Sequence, residues 1–346
     1  MEITVRSLDL DESGILEQLD ALEEAMDIEL FGAVSKRTPQ QRRALLADTP
    51  YMRMNRWVAE VEQLEGGRSL AGVAVLFLPQ TENLDSVDVG LSVHPALRGR
   101  GVATALIEQA LRPAIAATGR SRVSFWGEIP QSGDADDPEL PTNRVARRLG
   151  VERRTMGVCR TTALPTPDGL LDELAAEAAE KTDGYRILVW EDTVPDEHIE
   201  TFGVLLRQLD LDDPDEDFES EAGDYGPERI RHREKRNAAM GTQVLIAVAL
   251  APDGSFAAHS EIHVQSAPGT SLAFQENTLV MPEHRGHRLG LALKVANHRR
   301  LAETFPHLTR LVTWNSHVNP WMISINEKLG YQVAFREIGY QGAVEA

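Results

Sequence analysis

The pattern of hydrophobic and polar positions predicts the same order of strands and helices in the two halves of the chain. In the first half, alternating strand patterns and helical patterns lead to the strand SVDVGLSV at residues 86–93. A turn rich in arginine and glycine follows, and then a long helical pattern, a strand and a short helix ended by Gly150. The second half repeats this order from YRILVWE at residues 185–191 to the helix that Gly330 ends. The repetition predicts an internal duplication.

Matching residues in the two halves keep a nearly constant separation. The anchor pairs, in chain order, are Arg98 and Arg285 (285 − 98 = 187), Trp126 and Trp314 (314 − 126 = 188), and Gly150 and Gly330 (330 − 150 = 180). The last separation is shorter because the first half contains an extra segment, IPQSGDADDPEL. We therefore predict an N-terminal domain at residues 1–164, a linker helix within 165–184 and a C-terminal domain at 185–346.

The alternation of strands with helices predicts an α/β fold, or an α+β fold with a mixed sheet. Hairpin-like strand pairs precede each arginine–glycine turn, which favours a mixed sheet over a purely parallel one. A length of 346 residues with 42% hydrophobic residues and a mean hydropathy of −0.28 provides enough apolar material for two cores.

Composition also bounds the location and chemistry of the chain. No apolar run approaches the roughly 18 residues of a membrane span, and the acidic N-terminus differs from a secretory signal. Cys159 is the single cysteine, so no internal disulfide forms, which suits the cytoplasm. We expect a cytoplasmic protein without membrane partners, as a monomer or a homodimer.

The net charge of −19 disfavours nucleic acid as a partner, because binding to phosphates needs a basic surface. A cationic substrate would instead be attracted. Much of the negative charge lies in residues 209–224, LDLDDPDEDFESEAGD, for which we expect a solvated loop.

The two arginine–glycine turns carry the strongest chemical signal. Backbone N–H groups at a helix N-terminus, together with the helix dipole, form a site for phosphate. Glycine lets a pyrophosphate approach the main chain, and arginine adds a charged donor. Neither half contains the G-x-G-x-x-G pattern of dinucleotide-binding folds, and the Walker pattern is also missing.

The turns resemble the pyrophosphate loop of the GNAT superfamily of N-acetyltransferases, and the order of elements in each half is similar to that family's. The motif VHP before the first turn, and WN and LGY after the second, support the resemblance. It implies two GNAT-like domains, each a central, mostly antiparallel sheet with a splayed strand pair and flanking helices. It also implies acetyl-CoA as cosubstrate, bound by Arg98, Gly99, Arg100, Gly101, Val102 and Ala103 in the first half and by Arg285, Gly286, His287, Arg288, Leu289 and Gly290 in the second.

The second turn departs from the family pattern at Arg288, which stands where the first half has Gly101. We expect Arg288 to keep a helical φ with its side chain directed away, so that its N–H still donates. The side chain then either contacts a phosphate itself or is solvated. His284, His287 and His298 lack nearby acids or cysteines, so we predict no metal site.

In the GNAT family, the strand before the loop separates from its neighbour and pairs with the pantetheine arm of the cofactor. The resemblance assigns this role to the backbone of Leu91, Ser92 and Val93 in the first half and of Thr278, Leu279 and Val280 in the second. Glu276 on the second of these strands is the candidate general base, with Glu261 and His263 as weaker candidates. Asp88 and Glu128 are the corresponding carboxylates of the first half.

The segment after the second turn resembles the family's closing segment, in which one asparagine contacts the cofactor arm and another caps a helix. Asn315 and Asn319 occupy these places, and Asn319 before Pro320 also reads as a purely structural cap. The family's acid, a tyrosine four residues before the final glycine, is replaced by Ala146 and by Asn326. Asn326 can donate a hydrogen bond to sulfur but does not readily supply a proton.

The sequence therefore predicts an acetyl-CoA-dependent N-acetyltransferase acting on a small-molecule amine. The polar residues of the second half favour it as the catalytic half, with Glu276 and Asn326 as its catalytic residues. The first half is then a degenerate or cofactor-binding domain. The alternatives are a non-catalytic acyl-CoA-binding scaffold or sensor, and an acetyltransferase that acts on a protein N-terminus or lysine.

Overall fold

The computed structural model describes residues 2–62, 67–212 and 216–344 and forms one mixed sheet flanked by helices. The strands of the sheet are β1 (Ile3–Ser7), β2 (Met52–Glu62), β3 (Arg68–Pro79), β4 (Ser86–Val93), β5 (Arg122–Pro130), β6 (Glu152–Ala163), β7 (Arg186–Glu191), β8 (Thr242–Leu250), β9 (Phe256–Gln265), β10 (Leu272–Val280), β11 (Arg310–Ser316) and β12 (Gln332–Ala343).

The helices follow the predicted order in both halves. They are α1 (Ile15–Phe31), α2 (Pro39–Leu45), α3 (Val102–Leu106), α4 (Arg112–Thr118), α5 (Pro141–Leu149), α6 (Leu170–Ala179), α7 (Ile199–Asp212), α8 (Pro227–Ala239), α9 (Leu289–Thr304) and α10 (Pro320–Lys328). A π-helical turn, Ile107–Leu111, joins α3 to α4 without a break. Pro113 follows shortly after this turn, and its missing N–H accounts for the irregular hydrogen bonding of the helix here.

The two halves exchange their closing strands. The strand order is β1-β2-β3-β4-β5-β12-β6-β11-β10-β9-β8-β7. β12, from the second half, therefore pairs with β5 and β6 of the first half, and β6 pairs with β11 of the second half. The two predicted sheets are fused into one continuous sheet. The boundaries at 164 and 185 remain a prediction of the sequence, and α6 lies between them.

Each half contains a pair of parallel strands that separate at one end. β4 and β5 pair from Ser86 to Val89, and the rest of β4 pairs with β3 alone. β10 and β11 pair from Leu272 to Gln275, and the rest of β10 pairs with β9 alone. The predicted splayed pair is therefore present twice, and each opens toward an arginine–glycine turn.

In each half, the segment that connects the first two helices packs against the sheet of the other half. The first strap, residues 32–38, follows α1 and bonds to the start of β10: the Ser271 N–H donates to the Val34 carbonyl at 2.8 Å. The second strap, residues 216–226, follows α7 and bonds to the segment before β4: the Asn83 N–H donates to a Glu221 carboxylate oxygen at 2.7 Å.

The expectation of a solvated loop at residues 209–224 is correct only for the acidic residues of 216–224, which are exposed. Residues 209–212 complete α7, and the second strap is held against the first half. Glu219 pairs with Arg122 at 2.9 Å, and the Phe218 ring lies 5.5 Å from that of Trp126. The acidic side chains lie near basic and polar partners on the first half, which a reading of charge alone does not detect. Residues 213–215 lie outside the described residues.

Apolar cores lie between the sheet and the helices of each half. Val102, Leu106 and Ile107 fill the core of the first half against β3, β4 and β5. In the second half, Leu291 and Val295 of α9 pack with Leu174 of α6. Within the part of the chain that the structure describes, no helix is long and apolar enough to cross a membrane.

Candidate functional site

The first turn places a run of free N–H groups at the mouth of a helix. Gly99 and Gly101 adopt positive φ values of +73° and +90°, and Gly101 directly precedes α3. Among the described residues, the N–H groups from Gly99 to Ala103 have no backbone partner. Arg100 is exposed and has no ion-pair partner in the same part of the chain. The turn therefore presents unpaired donors and a free cation to solvent.

The second turn follows the same backbone path with different residues. Gly286 has a φ of +84°, and Arg288, immediately before α9, has a φ of +53°. The expectation of a helical φ at Arg288 is wrong, because the turn needs a left-handed residue here, as at Gly101. A left-handed conformation costs a non-glycine residue about 1 kcal/mol or more.

Side-chain contacts explain how the second turn tolerates Arg288. Its guanidinium donates to the Glu177 carbonyl and pairs with Glu180 at 2.6 Å, both at the end of α6. His287 contacts the Lys181 carbonyl at 3.2 Å. The Arg288 side chain is therefore held at the end of α6 and is not free to bind phosphate. Within the described residues, the N–H groups from Gly286 to Gly290 lack a backbone partner, as do those of the first turn.

The leading arginine of each turn makes the same contact with the splayed strand. Arg98 Nε donates to the Val93 carbonyl at 3.3 Å, and Arg285 Nε donates to the Val280 carbonyl at 3.3 Å. Each arginine also pairs with a carboxylate, Arg98 with Glu29 at 2.7 Å and Arg285 with Asp212 at 2.5 Å. The two turns are therefore structural equivalents.

Strand alternation identifies which backbone groups face each opening. His94 N–H bonds to Ala71 on β3, so Ser92 also faces β3, and Leu91 and Val93 face the gap. The Met281 N–H bonds to the Ala257 carbonyl, at the beginning of β9. By the same alternation Leu279 faces β9, whereas Thr278 and Val280 face the gap.

The sheet face that bears Asp88 differs sharply between the halves. Asp88 on β4 is largely buried and accepts a hydrogen bond from Ser124 on β5. Burial raises the pKa of Asp88, and the Ser124 hydroxyl only partly offsets the effect. On this face Trp126 remains 45% exposed.

The corresponding face of the second half is filled by aromatic rings. Phe274 on β10 stacks on Trp314 at a centroid distance of 6.1 Å. Phe31, at the end of α1, packs edge-on against Trp314 at 6.2 Å and against Phe335 at 5.9 Å. The first half thus presents a carboxylate on this face, where the second half is closed by an apolar cluster.

A cavity of about 600 Å³ lies between the halves. Its walls come from β2, β3 and β4 of the first half and from α7, α8 and β10 of the second. The lining includes Tyr51, Glu82, Asp88, Asp210, Tyr225, Arg229, His232, Arg233, Arg236, Asn237 and Asn277. Four strands separate β4 from β10 in the sheet, so the sheet curls until both splayed strands reach one cavity.

The sequence model of the acetyltransferase (GNAT) family matches residues 20–136, which contain the first turn and β4. Among solved structures, the chain is similar to a tandem GNAT protein from the clavulanic acid biosynthesis pathway, with 23% identity, a TM-score of 0.78, and coverage of 100% of this chain and 99% of that one. It is also similar to a GCN5-related N-acetyltransferase from Sphaerobacter thermophilus, with 13% identity, a TM-score of 0.64, and coverage of 99% and 96%.

Residues 20–136 match the acetyltransferase (GNAT) family, and the whole chain has the fold of a tandem GNAT protein. The match in residues 20–136 places this segment in a family of acyltransferases, and the likeness over the whole chain shows the doubled fold. A Saccharomyces cerevisiae N-myristoyltransferase with bound myristoyl-CoA shares the fold at 13% identity and a TM-score of 0.54, over 98% of this chain and 78% of that one. No curated protein sequence matches the chain.

The second half contains a series of hydrogen-bonded, buried polar side chains where the first half is apolar. Lys294 Nζ donates to Asn326 Oδ1 at 2.6 Å, and Asn326 Nδ2 donates to Asn315 Oδ1 at 3.1 Å. By the separations of the anchors, Lys294 corresponds to Ile107 (294 − 187 = 107) and Asn326 to Ala146 (326 − 180 = 146). Sequence reasoning missed Lys294 because it lies within an otherwise apolar helical pattern.

Burial of Lys294 lowers its pKa to about 7, because the low-dielectric interior disfavours the ammonium ion. The neighbouring His298 is also buried, and its pKa is lowered to about 3. His298 contacts the Tyr331 hydroxyl at 3.2 Å, and Tyr331 is buried in the core. His284 and His287 belong to the turn, away from His298, and contact Tyr185 and the linker.

Glu276 and Asn277 occupy a β-bulge, opposite Glu261 on β9. Glu276 is exposed, whereas Glu261 is fully buried and forms an ion pair with Arg233 of α8. Arg233 and His263 keep the pKa of Glu261 low despite its burial. Because Glu261 is held by these two partners, it is poorly placed to accept a further proton.

Asn319 forms the predicted helix cap: its Oδ1 accepts the Met322 N–H at 3.1 Å, and Pro320 opens α10. Its side chain is therefore engaged in a structural role. Asn315 lies at the end of β11 and accepts hydrogen bonds from Asn326 and, at 3.3 Å, from Arg160 of the exchanged β6.

Proposed function

We propose that the chain is an acyl-CoA-dependent N-acyltransferase that uses acetyl-CoA and a small-molecule amine, and that its first half binds the donor. The observation that carries this proposal is the open turn at residues 98–103, with two glycines at positive φ and a run of free N–H groups. A pyrophosphate carries negative charge, and this helix mouth offers it donors and the cation of Arg100.

The surroundings of the second turn are less suited to a pyrophosphate. Glu177, Glu180 and Asp212 lie against it, and Arg288 is occupied by the first two. At the first turn, Glu29 is the ion-pair partner of Arg98, and both side chains are exposed. An exposed pair contributes little, so a phosphate can replace the carboxylate at small cost.

Asp88 is the group in the first half that suits the proton transfer. It lies on β4 shortly before the free backbone edge, and it faces the shared cavity. The acceptor ammonium transfers a proton to Asp88, directly or through water, and the neutral amine attacks the thioester carbonyl. The C–N bond forms, the C–S bond breaks, and the departing thiolate takes a proton from the amine nitrogen by way of solvent.

In this proposal the first half is catalytic and the second half is the scaffold. The sequence suggested the opposite roles for the two halves. The second half remains the alternative donor site, since Glu276 lies in the bulge beside its splayed edge. Its aromatic cluster and the attachment of Arg288 to the end of α6 favour a scaffold role, in which α7, α8 and the second strap form walls of the acceptor site of the first half.

A matched pair of glycine substitutions tests the proposal. Gly99 and Gly286 correspond to each other (286 − 187 = 99), have φ values of +73° and +84°, and both have open space around them. Valine carries the same backbone penalty at each position, so the comparison isolates the ligand. We expect Gly99→Val to weaken acetyl-CoA binding about 10- to 100-fold by calorimetry, with one site per wild-type chain.

We expect Gly286→Val to leave the affinity for acetyl-CoA within about twofold of wild type. Loss of binding in Gly286→Val with normal binding in Gly99→Val would move the donor site to the second half. Two equal sites per chain would contradict the division of roles altogether.

A further inference from the structure

Three arginines of α8 line the shared cavity, and two of them are neutralised. Arg229 forms a paired contact with Glu82 of the first half and lies over the rings of Tyr51 and Tyr225, at 4.8 and 4.9 Å. Arg233 forms a paired contact with the buried Glu261. These two cations are therefore parts of the wall.

The third cation, Arg236, has no carboxylate partner among the described residues. Its Nη2 donates to the carbonyl of Leu45, at the end of α2, at 3.2 Å. Its Nε is buried without a hydrogen-bond partner in the same part of the chain. A partly buried guanidinium that lacks a counter-ion is costly, and this one persists in a chain of net charge −19.

Uncommitted polar groups surround Arg236 in the same cavity. The side-chain amides of Asn237 and Asn277 make no hydrogen bond within the described residues, and both line the cavity. Asp88 supplies a carboxylate on the wall formed by the first half. Besides the paired Glu82, the cavity holds one uncompensated cation, two free amides and the carboxylates of Asp88 and Asp210, within a volume typical of small-molecule sites. Asp210 already accepts hydrogen bonds from the Gly223 N–H and the Tyr225 hydroxyl, whereas Asp88 accepts one from Ser124.

We infer that this cavity binds the acceptor, and that the acceptor is a zwitterion with the chemistry of an amino acid. Its carboxylate lies on Arg236, with Asn237 as a neutral partner, and its amine lies toward Asp88. This inference rests on the proposed function for the acyl transfer, but the binding of a zwitterion to the cavity does not. One free guanidinium suits a carboxylate, whereas a phosphate ester is usually held by several cations.

Matched pairs of amines test the inference. Each pair consists of an amino acid and its decarboxylated counterpart: 4-aminobutanoate with propylamine, L-lysine with cadaverine, and L-phenylalanine with phenethylamine. Binding to the full chain is measured by saturation-transfer NMR without acetyl-CoA, and turnover is measured by thiol release from acetyl-CoA. We expect at least one amino acid to bind, with a kcat/KM at least about tenfold above that of its amine.

Three variants assign the effect to Arg236. Arg236→Met should reduce the preference for the amino acid by about 10- to 100-fold, mainly through KM, because the charge-assisted hydrogen bonds are lost. Arg236→Lys should recover part of the preference. Arg186→Met is the control, since Arg186 is an exposed arginine on β7 outside the cavity, and it should behave as wild type.

The outcomes separate the two proposals. If no amino acid of the panel binds, if the decarboxylated amines bind as well, or if Arg236→Met keeps the preference, the inference is wrong. Binding of an amino acid that depends on Arg236, without any thiol release, would uphold the zwitterion site and contradict the proposed function. Preference for a phosphorylated amine over all amino acids would also overturn the inference.

Discussion

The two helix mouths share one backbone path and differ in what surrounds it. At the first, Gly101 opens α3 and the neighbouring N–H groups face solvent. At the second, Arg288 adopts the same left-handed conformation and binds the end of α6. The comparison teaches that a residue other than glycine can hold the left-handed conformation at this position when its side chain gains partners elsewhere.

The sheet faces at the two splayed strand pairs also differ, and again the first half is the more open one. Asp88 of the first half faces a cavity, and the corresponding face of the second half is packed with Phe31, Phe274 and Trp314. Conversely, Lys294 makes the interior of the second half polar where Ile107 keeps that of the first apolar. Each half therefore combines one feature of a binding site with one of a closed core.

The largest effect should come from the carboxylates of the two strands. Asp88→Asn should lower kcat about 10²-fold or more, because the amide accepts no proton, and acetyl-CoA binding should persist. The raised pKa of Asp88 means that wild-type kcat/KM falls as pH drops through that pKa, and the acidic limb should vanish in the variant. Both are measured by thiol release with the best acceptor.

Glu276→Gln is the matched control for Asp88→Asn, and it should keep kcat within about twofold of wild type. If Glu276→Gln is the variant that loses turnover, the second half is catalytic and the comparison reverses.

A smaller effect is expected from Lys294→Met, which makes the interior of the second half resemble that of the first. The free energy of unfolding at pH 7 should rise by about 1–3 kcal/mol, because a buried ammonium is replaced by an apolar side chain of similar length. The gain is limited by the partner that Asn326 loses.

The pH dependence of Lys294→Met checks its cause. The folded pKa of about 7 lies below the ordinary 10.5, so between these values the unfolded chain binds more protons. Stability of the wild type should therefore gain a contribution that rises from about pH 7 to 10.5, and Lys294→Met should lack it. Urea denaturation at several pH values measures this difference, and an equal slope in both proteins contradicts the assignment.

The smallest effect is expected from Arg288→Gly, which gives the second turn the glycine of the first. Relief of the left-handed arginine offsets the lost contacts with Glu177 and Glu180, so stability should change by less than about 1 kcal/mol. Calorimetry with acetyl-CoA should still find one site per chain. A second site would show that the Arg288 tether alone closes the second mouth.

Local signals in the sequence were sufficient for the elements and for the duplication. The arginine–glycine turns, the cap at Asn319 and the splayed strands follow from patterns within a few residues of each other, and the structure contains them. Residues 98–103, which resemble a GNAT loop, lie within the segment that matches the GNAT family. These features depend on backbone conformation, which short segments specify.

Local signals of this kind do not predict which distant strands pair with each other. Nothing in the alternation of β12 distinguishes pairing with β11 from pairing with β5 and β6, because a strand buried on two sides reads alike in either place. The path of the second strap and the shared cavity depend on this arrangement. Arg236 and Lys294 were missed for the same reason. Whether a buried cation has a counter-ion depends on elements that lie far away in the sequence.

The exchanged β12 has a consequence for how the molecule is made and dismantled. A fragment that ends after β6 leaves one border of β5 and both borders of β6 unpaired, and each of them can pair with a foreign strand. Nascent chains can therefore aggregate until β12 has left the ribosome. For the same reason, we do not expect either half to fold as an independent unit.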